Sequence, residues 1–203
     1  MPATALRRAG AVALLFTAAA AAPVYAPDPA PCDRTLQPGH TYQAHHHVYT
    51  TDSAGRPSDA LAKTLTGKDA DRGACEGTVG DWGGRGDWQG GHLIAASFDG
   101  VSRRYNLVPM RGRQINQGLM KRVENGARAC LEGDGTVADY RVRLRYPDRT
   151  ALAPDQITIT MSPEAARISL TLPNRTMPEK ELRSWQDRIA KAFQAAGCGR
   201  SGL

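Results

Sequence analysis

The segment that decides the fold is Trp88-Gln-Gly-Gly-His-Leu-Ile-Ala-Ala-Ser-Phe-Asp-Gly100, followed by Arg104-Tyr-Asn-Leu-Val-Pro-Met110 and Asn116-Gln-Gly-Leu-Met-Lys-Arg-Val-Glu124. Short apolar runs at 93–98 and 104–108 are typical of buried strands. A helix should begin near Ile115, because apolar residues then recur at near-helical spacing until Gly133. The segment therefore predicts a strand, a loop, a strand and a helix, and its candidate site residues are His92, Asn106, Asn116 and Glu124.

Upstream of this segment the sequence predicts one strand and one long loop. Residues 42–51 are rich in Tyr, Val, Thr and His and run into a turn at 52–57. Residues 63–89 are rich in glycine and show little periodicity, so we expect a long loop there. The run His45-His46-His47 lacks a third ligand at short spacing on one strand face, which favours surface histidines over a zinc site.

Downstream, alternating apolar residues predict a three-stranded meander at 140–146, 156–161 and 167–172. Thr176 and Glu179 form a capping-box pattern for a last helix. Its apolar face consists of Leu182, Trp185, Ile189 and Phe193. The whole pattern predicts an α+β fold with an antiparallel sheet and flanking helices.

The N-terminus has the features of a secretory signal. Two arginines precede an apolar run that is too short to span a bilayer, and small residues follow up to Ala26. We therefore expect a signal peptide at 1–26, a proline-rich leader at 27–41 and one domain at 42–203. These features predict a secreted, extracellular protein without stable membrane association.

Net charge and cysteine content indicate which partners and which covalent links to expect. The net charge of +6 includes the two arginines of the signal, so the exported chain is only mildly basic, which permits a polyanionic partner without requiring one. The four cysteines Cys32, Cys75, Cys130 and Cys198 favour two disulfides in an exported chain. Three pairings are open. The preferred one joins Cys75 to Cys130 and Cys32 to Cys198, since the latter bridge would fasten both termini.

The residues around His92 resemble those of the DNA/RNA non-specific endonucleases, the secreted branch of the ββα-metal (His-Me finger) nucleases. The resemblance extends from Tyr42 to about Leu172. It implies a ββα-metal core that binds Mg²⁺, or alternatively Mn²⁺, and cleaves the backbone of DNA and RNA. It further implies that His92 is the general base and that Asn116 is the protein ligand of the metal, an oxygen donor of the kind Mg²⁺ prefers.

Three further residues take roles from the same resemblance. Glu124 lies eight residues beyond Asn116, about 12 Å along a helix, so we expect it to contact metal-bound water or an arginine instead of the metal. Arg128 corresponds to an arginine near the scissile phosphate, although an ordinary ion pair with Glu124 explains it equally well. Asn106 corresponds to an asparagine that organises the site; the alternative is that it satisfies loop backbone.

The sequence departs from the family just before the histidine. Many members have Asp-Arg-Gly-His, whereas this chain has Gln89-Gly90-Gly91-His92. The usual phosphate-binding arginine is therefore absent from position 90. Arg56, Arg72 or Arg85 could replace it, and no spacing rule selects among the three.

Basic residues near the expected metal are the first candidates for substrate contact: Arg111, Arg113, Lys121 and Arg122, with Arg56. The resemblance thus predicts a secreted endonuclease with little sequence preference. The alternatives are an antibacterial nuclease toxin and a non-catalytic nucleic-acid-binding protein on a nuclease scaffold. The sequence identifies no inhibitor protein.

Overall fold

The computed structural model describes residues 30–73, 75–132, 135–164 and 166–198. The expected signal peptide at 1–26 lies outside these residues, as does the start of the expected leader. The rest of the leader packs onto the domain, since Leu36 is buried. Within the described ranges no helix is both long and apolar enough to cross a membrane.

Six antiparallel strands form the main sheet. In spatial order they are β1 (Thr41–Ala44), β2 (His47–Thr51), β3 (Pro57–Thr64), β6 (Val137–Arg145), β7 (Gln156–Pro163) and β8 (Ile168–Pro173). The burial pattern of β7 alternates strictly along the strand, as it does in a sheet with one face on the core. The predicted meander β6 to β8 and the α+β class are confirmed.

The second unit is a hairpin followed by helix. Strand β4 (Trp88–His92) pairs with β5 (Leu107–Arg111), and His92 lies opposite Leu107. A π-helical segment (Gly112–Met120) then continues into α2 (Lys121–Leu131). The expected order of strand, strand and helix is confirmed, although the first turns are π-helical. Such wide turns are frequent at functional sites.

Both hairpin strands lie at different positions from those predicted. Residues 93–96 and Phe98 are buried, but 93–98 form a loop with a 3₁₀ turn. The true strand precedes this loop and contains Gly90 and Gly91. Glycine lowers strand propensity, yet both positions require it here. A Cβ on Gly90 would lie 2.3 Å from the carbonyl oxygen of Glu76, and one on Gly91 would lie 2.4 Å from Sδ of Met110.

The upstream prediction missed three elements. Residues 42–51 form a hairpin instead of one strand, because His45 adopts a φ of 50° and turns the chain between β1 and β2. Strand β3 runs from the end of the expected turn into the expected loop, and no element was predicted for the residues between them. The expected long loop contains a short helix, α1 (Cys75–Asp81). His47 is buried, and its Nε2 lies 2.8 Å from the carbonyl oxygen of Phe98, so its prediction as a surface histidine is wrong.

The last helix, α3 (Glu179–Ala195), follows Pro178 without a side-chain cap, so the capping box on Thr176 is wrong. Its predicted apolar face is confirmed: Ile189 and Phe193 are fully buried, and Leu182 and Trp185 pack beside them. The ring of Phe193 lies against α2 so closely that a Cβ on Gly126 would come within 2.4 Å of it.

The preferred disulfide pairing is wrong. Cys32 is bonded to Cys75, and Cys130 to Cys198. Each end of the domain is thus fastened separately, the N-terminal segment to α1 and the C-terminal segment to α2. The chain after α3 returns to the end of α2, which brings Cys198 to Cys130, and this packing cannot be read from spacing.

Candidate active site

A cavity of about 620 Å³ opens where α1, β4, the π-helical segment and α2 meet. The predicted residues that line it are His92, Asn116, Lys121 and Glu124. The structure therefore brings together the predicted base, the predicted metal ligand and two charged residues of α2. Other lining residues that carry polar side chains are Arg72, Glu76, Asp81, Gln89 and Gln117.

His92 lies at the end of β4, with 9% of its side chain exposed. Its Nε2 is 3.5 Å from Oε1 of Glu76. Burial lowers the pKa of His92 to about 4; the carboxylate of Glu76 opposes this shift and Arg72 adds to it. The imidazole is therefore neutral at neutral pH, and a neutral imidazole can accept a proton.

The side-chain amide of Asn116 is held in one orientation. Its Nδ2 donates a hydrogen bond to Oε1 of Gln89 at 2.9 Å, and Nε2 of Gln117 donates to the same oxygen at 3.1 Å. Oδ1 of Asn116 lies close to Gly91, where a Cβ would approach it to 2.9 Å. Because the nitrogen is engaged by Gln89, the oxygen is the atom of this amide that can bind a cation.

Glu124 is mostly buried, with 15% of its side chain exposed, and its carboxylate lies 3.6 Å from Nζ of Lys121. Burial raises the pKa of Glu124, and the ammonium of Lys121 opposes that shift. The carboxylate therefore has a cation beside it at one side of the cavity. An ion pair with Glu124 was the alternative explanation of Arg128, and the structure shows Glu124 paired with Lys121 instead.

Helix α1 supplies a carboxylate that the sequence analysis did not identify. Glu76 follows the disulfide-bonded Cys75, and its backbone packs directly on Gly90. Both carboxylate oxygens of Glu76 are buried and accept no hydrogen bond from the described residues. A Cβ at position 90 would lie 2.3 Å from the carbonyl oxygen of Glu76, so α1 leaves no room for an arginine at this position.

Arg72 comes from the segment before α1 and lines the cavity as an exposed side chain. It is close enough to lower the pKa values of His92 and Glu124. Of the three arginines considered as replacements, Arg72 is the one that lines the cavity. Arg85 is exposed outside it, and its carbonyl accepts a hydrogen bond from Nε1 of Trp88 at 3.2 Å.

Arg56 has a different environment from the one predicted. Its guanidinium binds Asp52 and the carbonyl oxygens of Asp148 and Ala151, and it stacks 3.9 Å from the ring centre of Tyr146. It is 9% exposed. These contacts give Arg56 a structural role between the β2–β3 turn and the β6–β7 connection, and it does not line the cavity.

Asn106 is fully buried, and its side chain binds loop backbone. Oδ1 accepts a hydrogen bond from the amide of Ile94 at 2.9 Å, and Nδ2 donates to the carbonyl oxygens of Ile94 and Val101, each at 2.9 Å. These bonds hold the chain that leaves β4 directly after His92. Asn106 therefore organises the loop instead of lining the cavity.

Arg128 lies beside the cavity, not in it. Its guanidinium donates to Ser97 at 2.9 Å and to Asn125 at 3.1 Å. With Asp69 and Glu132 it lines a neighbouring cavity of about 470 Å³.

The remaining basic residues surround the π-helical segment. Arg111 stacks on Trp88 with 3.9 Å between its guanidinium carbon and the ring centre. Arg113 is exposed, and its backbone amide donates to Asp87 at 2.8 Å. Arg122 is half-buried on α2. None of these three arginines lines the cavity itself.

The cavity has the chemistry of a hard-cation site. Among its described lining residues, three carboxylates, those of Glu76, Asp81 and Glu124, outnumber the cations of Arg72 and Lys121. This excess of negative charge favours a bound cation in the cavity. No three His, Cys, Asp or Glu side chains cluster as a ligand set within the described ranges. A site built on the Asn116 amide oxygen and water suits Mg²⁺, which binds few protein ligands and retains water.

A family model described as DNA/RNA non-specific endonuclease matches residues 38–164, more than half of the chain. A crystal structure of NucA from Streptococcus agalactiae with magnesium bound has 19% sequence identity, a TM-score of 0.54, and coverage of 70% of this chain and 75% of that chain. The metal-free structure of the same protein has 19% identity and a TM-score of 0.49, covering 68% and 72%. No curated protein sequence matches the chain.

Proposed function

Because the chain belongs to the DNA/RNA non-specific endonuclease family, we propose that it is a secreted, divalent-metal-dependent endonuclease that cuts DNA and RNA with little sequence preference. The observation that carries this proposal is the cavity itself. It holds a neutral His92 and an Asn116 amide whose nitrogen is bound by Gln89, which leaves the oxygen for a cation.

His92 acts as the general base in this proposal. A neutral imidazole accepts the proton of the attacking water, and its lowered pKa keeps the ring neutral over the physiological range. The products implied by the family resemblance carry 5′-phosphates.

Asn116 holds Mg²⁺, or alternatively Mn²⁺, through Oδ1. When bound, the ion supplies positive charge that stabilises the additional negative charge on the phosphate in the transition state. Gln89 orients the Asn116 amide for this task. Glu124 would accept hydrogen bonds from water on the ion, and Lys121 beside it would contact the substrate phosphate.

Arg72 replaces the family arginine that position 90 cannot accommodate. It is exposed at the cavity and free to bind a phosphate oxygen next to the scissile bond. The more distant Arg111, Arg113, Arg122 and Arg128 extend the positive surface for the rest of the backbone. Contacts to phosphates carry no sequence information, so weak base specificity follows.

Secretion is supported by the N-terminal sequence and by the two disulfides, which form in oxidising compartments. Of the alternatives, a binding protein without catalysis predicts no cleavage in a simple assay, whereas an antibacterial nuclease toxin predicts the same cleavage and differs in the cells that it enters.

The experiment is cleavage of supercoiled plasmid and of a structureless RNA by the purified exported protein, with Mg²⁺ and with EDTA. We expect nicked and then linear plasmid, and degraded RNA, only with the metal. Binding of both substrates without cleavage at any Mg²⁺ or Mn²⁺ concentration would contradict the proposal and favour the binding protein.

A further inference from the structure

Three enclosed polar atoms meet at the boundary between α1 and β4. They are Nε2 of His92 and the two carboxylate oxygens of Glu76, and each lacks a hydrogen-bond partner among the described residues. Leaving a buried polar group unpaired is costly, and a buried carboxylate without a donor costs more. A proton on Nε2 would let this nitrogen donate to Oε1 of Glu76 and so pair two of the three atoms.

We propose that Glu76 is a positioning residue that accepts a hydrogen bond from Nε2–H of His92 and thereby fixes the tautomer in which Nδ1 is the basic nitrogen. The separation of Nε2 and Oε1 is 3.5 Å, longer than a formed hydrogen bond. Catalytic hydrogen bonds are often long in the absence of substrate and shorten when it binds. We therefore expect the distance between Nε2 of His92 and Oε1 of Glu76 to shorten to a hydrogen bond when substrate binds.

The local structure holds Glu76 in place for this role. Cys75, the preceding residue, is bonded to Cys32, so the first turn of α1 is fastened covalently to the N-terminal segment. On the other side, Gly90 lets the backbone of Glu76 pack against β4, and a Cβ there would lie 2.3 Å from the Glu76 carbonyl oxygen. His92 is two residues further along the same strand. A covalent bond and a close backbone contact thus both set the distance between the carboxylate and the imidazole.

The chemical consequence rests on the proposed function. With the proton of Nε2 directed at Glu76, the lone pair of Nδ1 is the acceptor for the proton of the attacking water. The carboxylate also stabilises the imidazolium that forms as that proton arrives, the same logic by which an aspartate orients a catalytic histidine in hydrolytic triads. If Glu76 instead held the metal, replacing it would raise the Mg²⁺ concentration needed for activity and would leave the tautomer of His92 unchanged.

The test begins with the protein alone, without metal or nucleic acid, labelled with ¹⁵N in its histidines. Two-bond ¹H–¹⁵N spectra at neutral pH report which ring nitrogen carries the proton, and His92→Gln assigns the signal. We expect a single form protonated at Nε2 in the wild type. In Glu76→Ala the two forms should exchange with each other. Asp81→Asn, which removes a carboxylate from the same helix, should retain the single form.

Kinetics provide the second readout. Glu76→Ala should lower kcat about tenfold or more, part of the 10²–10⁴-fold that a general base contributes, with KM and the Mg²⁺ concentration for half activity nearly unchanged. Glu76→Asp should recover part of the rate, because it restores the acceptor. Near-UV circular dichroism separates these effects from misfolding, and Glu76→Asp provides a second variant if Glu76→Ala fails to fold.

Two results would overturn the inference. One is a proton on Nδ1 of His92 in the wild type. The other is a Glu76→Ala defect that excess Mg²⁺ restores, which would make Glu76 a metal ligand. Because the spectra require no catalysis, a protein with the expected tautomer and no nuclease activity would contradict the proposed function while leaving the contact between Glu76 and His92 intact.

Discussion

Nδ2 of Asn116 donates to Oε1 of Gln89 over 2.9 Å, and this bond fixes which atom of the Asn116 amide is left for a cation. Position 89 is one of the two at which the chain departs from the common family motif. The glutamine side chain there provides the oxygen that accepts the hydrogen bond from Asn116. Gln89 thus supplies an acceptor for the Asn116 amide at a position where the sequence departs from the family pattern.

Removing this acceptor should weaken metal binding. Gln89→Leu should raise the Mg²⁺ concentration for half activity by about tenfold, because groups that orient a metal ligand typically contribute 10- to 100-fold in affinity. Gln89→Glu retains the acceptor and should be nearer to wild type. Metal titrations of the cleavage rate provide the measurement.

Three variants calibrate that result. Asn116→Ala removes the ligand itself and should have the largest effect on the metal requirement. Glu124→Gln and Gln117→Ala should have smaller effects, since neither provides the proposed ligand. A defect in Glu124→Gln greater than that of Asn116→Ala would reverse the assignment of the metal ligand.

Replacing Arg72 should weaken substrate binding through the loss of one phosphate contact. We expect Arg72→Ala to raise KM for DNA and RNA alike and to reduce the salt dependence of binding by about one unit in the slope of log K against log salt. Arg85→Ala is the matched control from outside the cavity and should change KM less. Equal increases of KM in the two variants would show that Arg72 adds only to the overall positive charge and makes no specific phosphate contact.

The two disulfides should differ in their effect on activity. The bridges span 43 and 68 residues, so each is worth about 4 kcal/mol of unfolding free energy in the chain-entropy model. Replacing both members of Cys32–Cys75 by serine should also lower kcat, because Cys75 precedes Glu76. Replacing both members of Cys130–Cys198 should leave kcat unchanged. Denaturant unfolding and kcat well below the melting temperature measure the two effects, and equal kcat values for the two variants would contradict this link.

The pH dependence should reflect the buried imidazole. An unperturbed histidine titrates near pH 6.5. Burial lowers the pKa of His92 to about 4. The ring stays neutral until the pH falls through the lower value, and activity should be lost there. The unfolded chain takes up this proton first, so His92 also reduces stability as the pH falls from 6.5 towards 4.

The profile of kcat/KM against pH at saturating Mg²⁺ measures that midpoint. Glu124 contributes a second titration, since burial raises its pKa, and the profile of Glu124→Gln isolates the histidine. An acid midpoint that remains near 6.5 in both proteins would show that His92 is solvated in the working enzyme.

The sequence predicted the elements whose signals are local. Alternating residues indicated β6 to β8, and the spacing of Ile189 and Phe193 indicated α3. The residues around His92, Asn116 and Glu124 indicated a site, and the structure places all three on one cavity. Strand β4 was misplaced because its glycines are required by contacts with α1 and Met110, which are remote in sequence.

The remaining features depend on long-range packing. Glu76 lies in a seven-residue helix without periodicity, so no local signal distinguished it from the surrounding acidic residues. Arg56 matched a substrate-binding role by position, yet Asp52 and the β6–β7 connection bind its guanidinium. The disulfide pairs follow from where α1 and α3 pack. The sequence contains no local pattern from which the positions of Glu76, Arg56 or the paired cysteines could be predicted.

The most direct test of the account is the effect of His92→Ala on plasmid cleavage under saturating Mg²⁺. A general base contributes to the transition state more than to substrate binding. We therefore expect kcat to fall on the order of 10²-fold or more, with unchanged circular dichroism and nearly unchanged affinity for an oligonucleotide in EDTA. A rate within a few-fold of wild type would remove His92 from the mechanism and contradict the central claim.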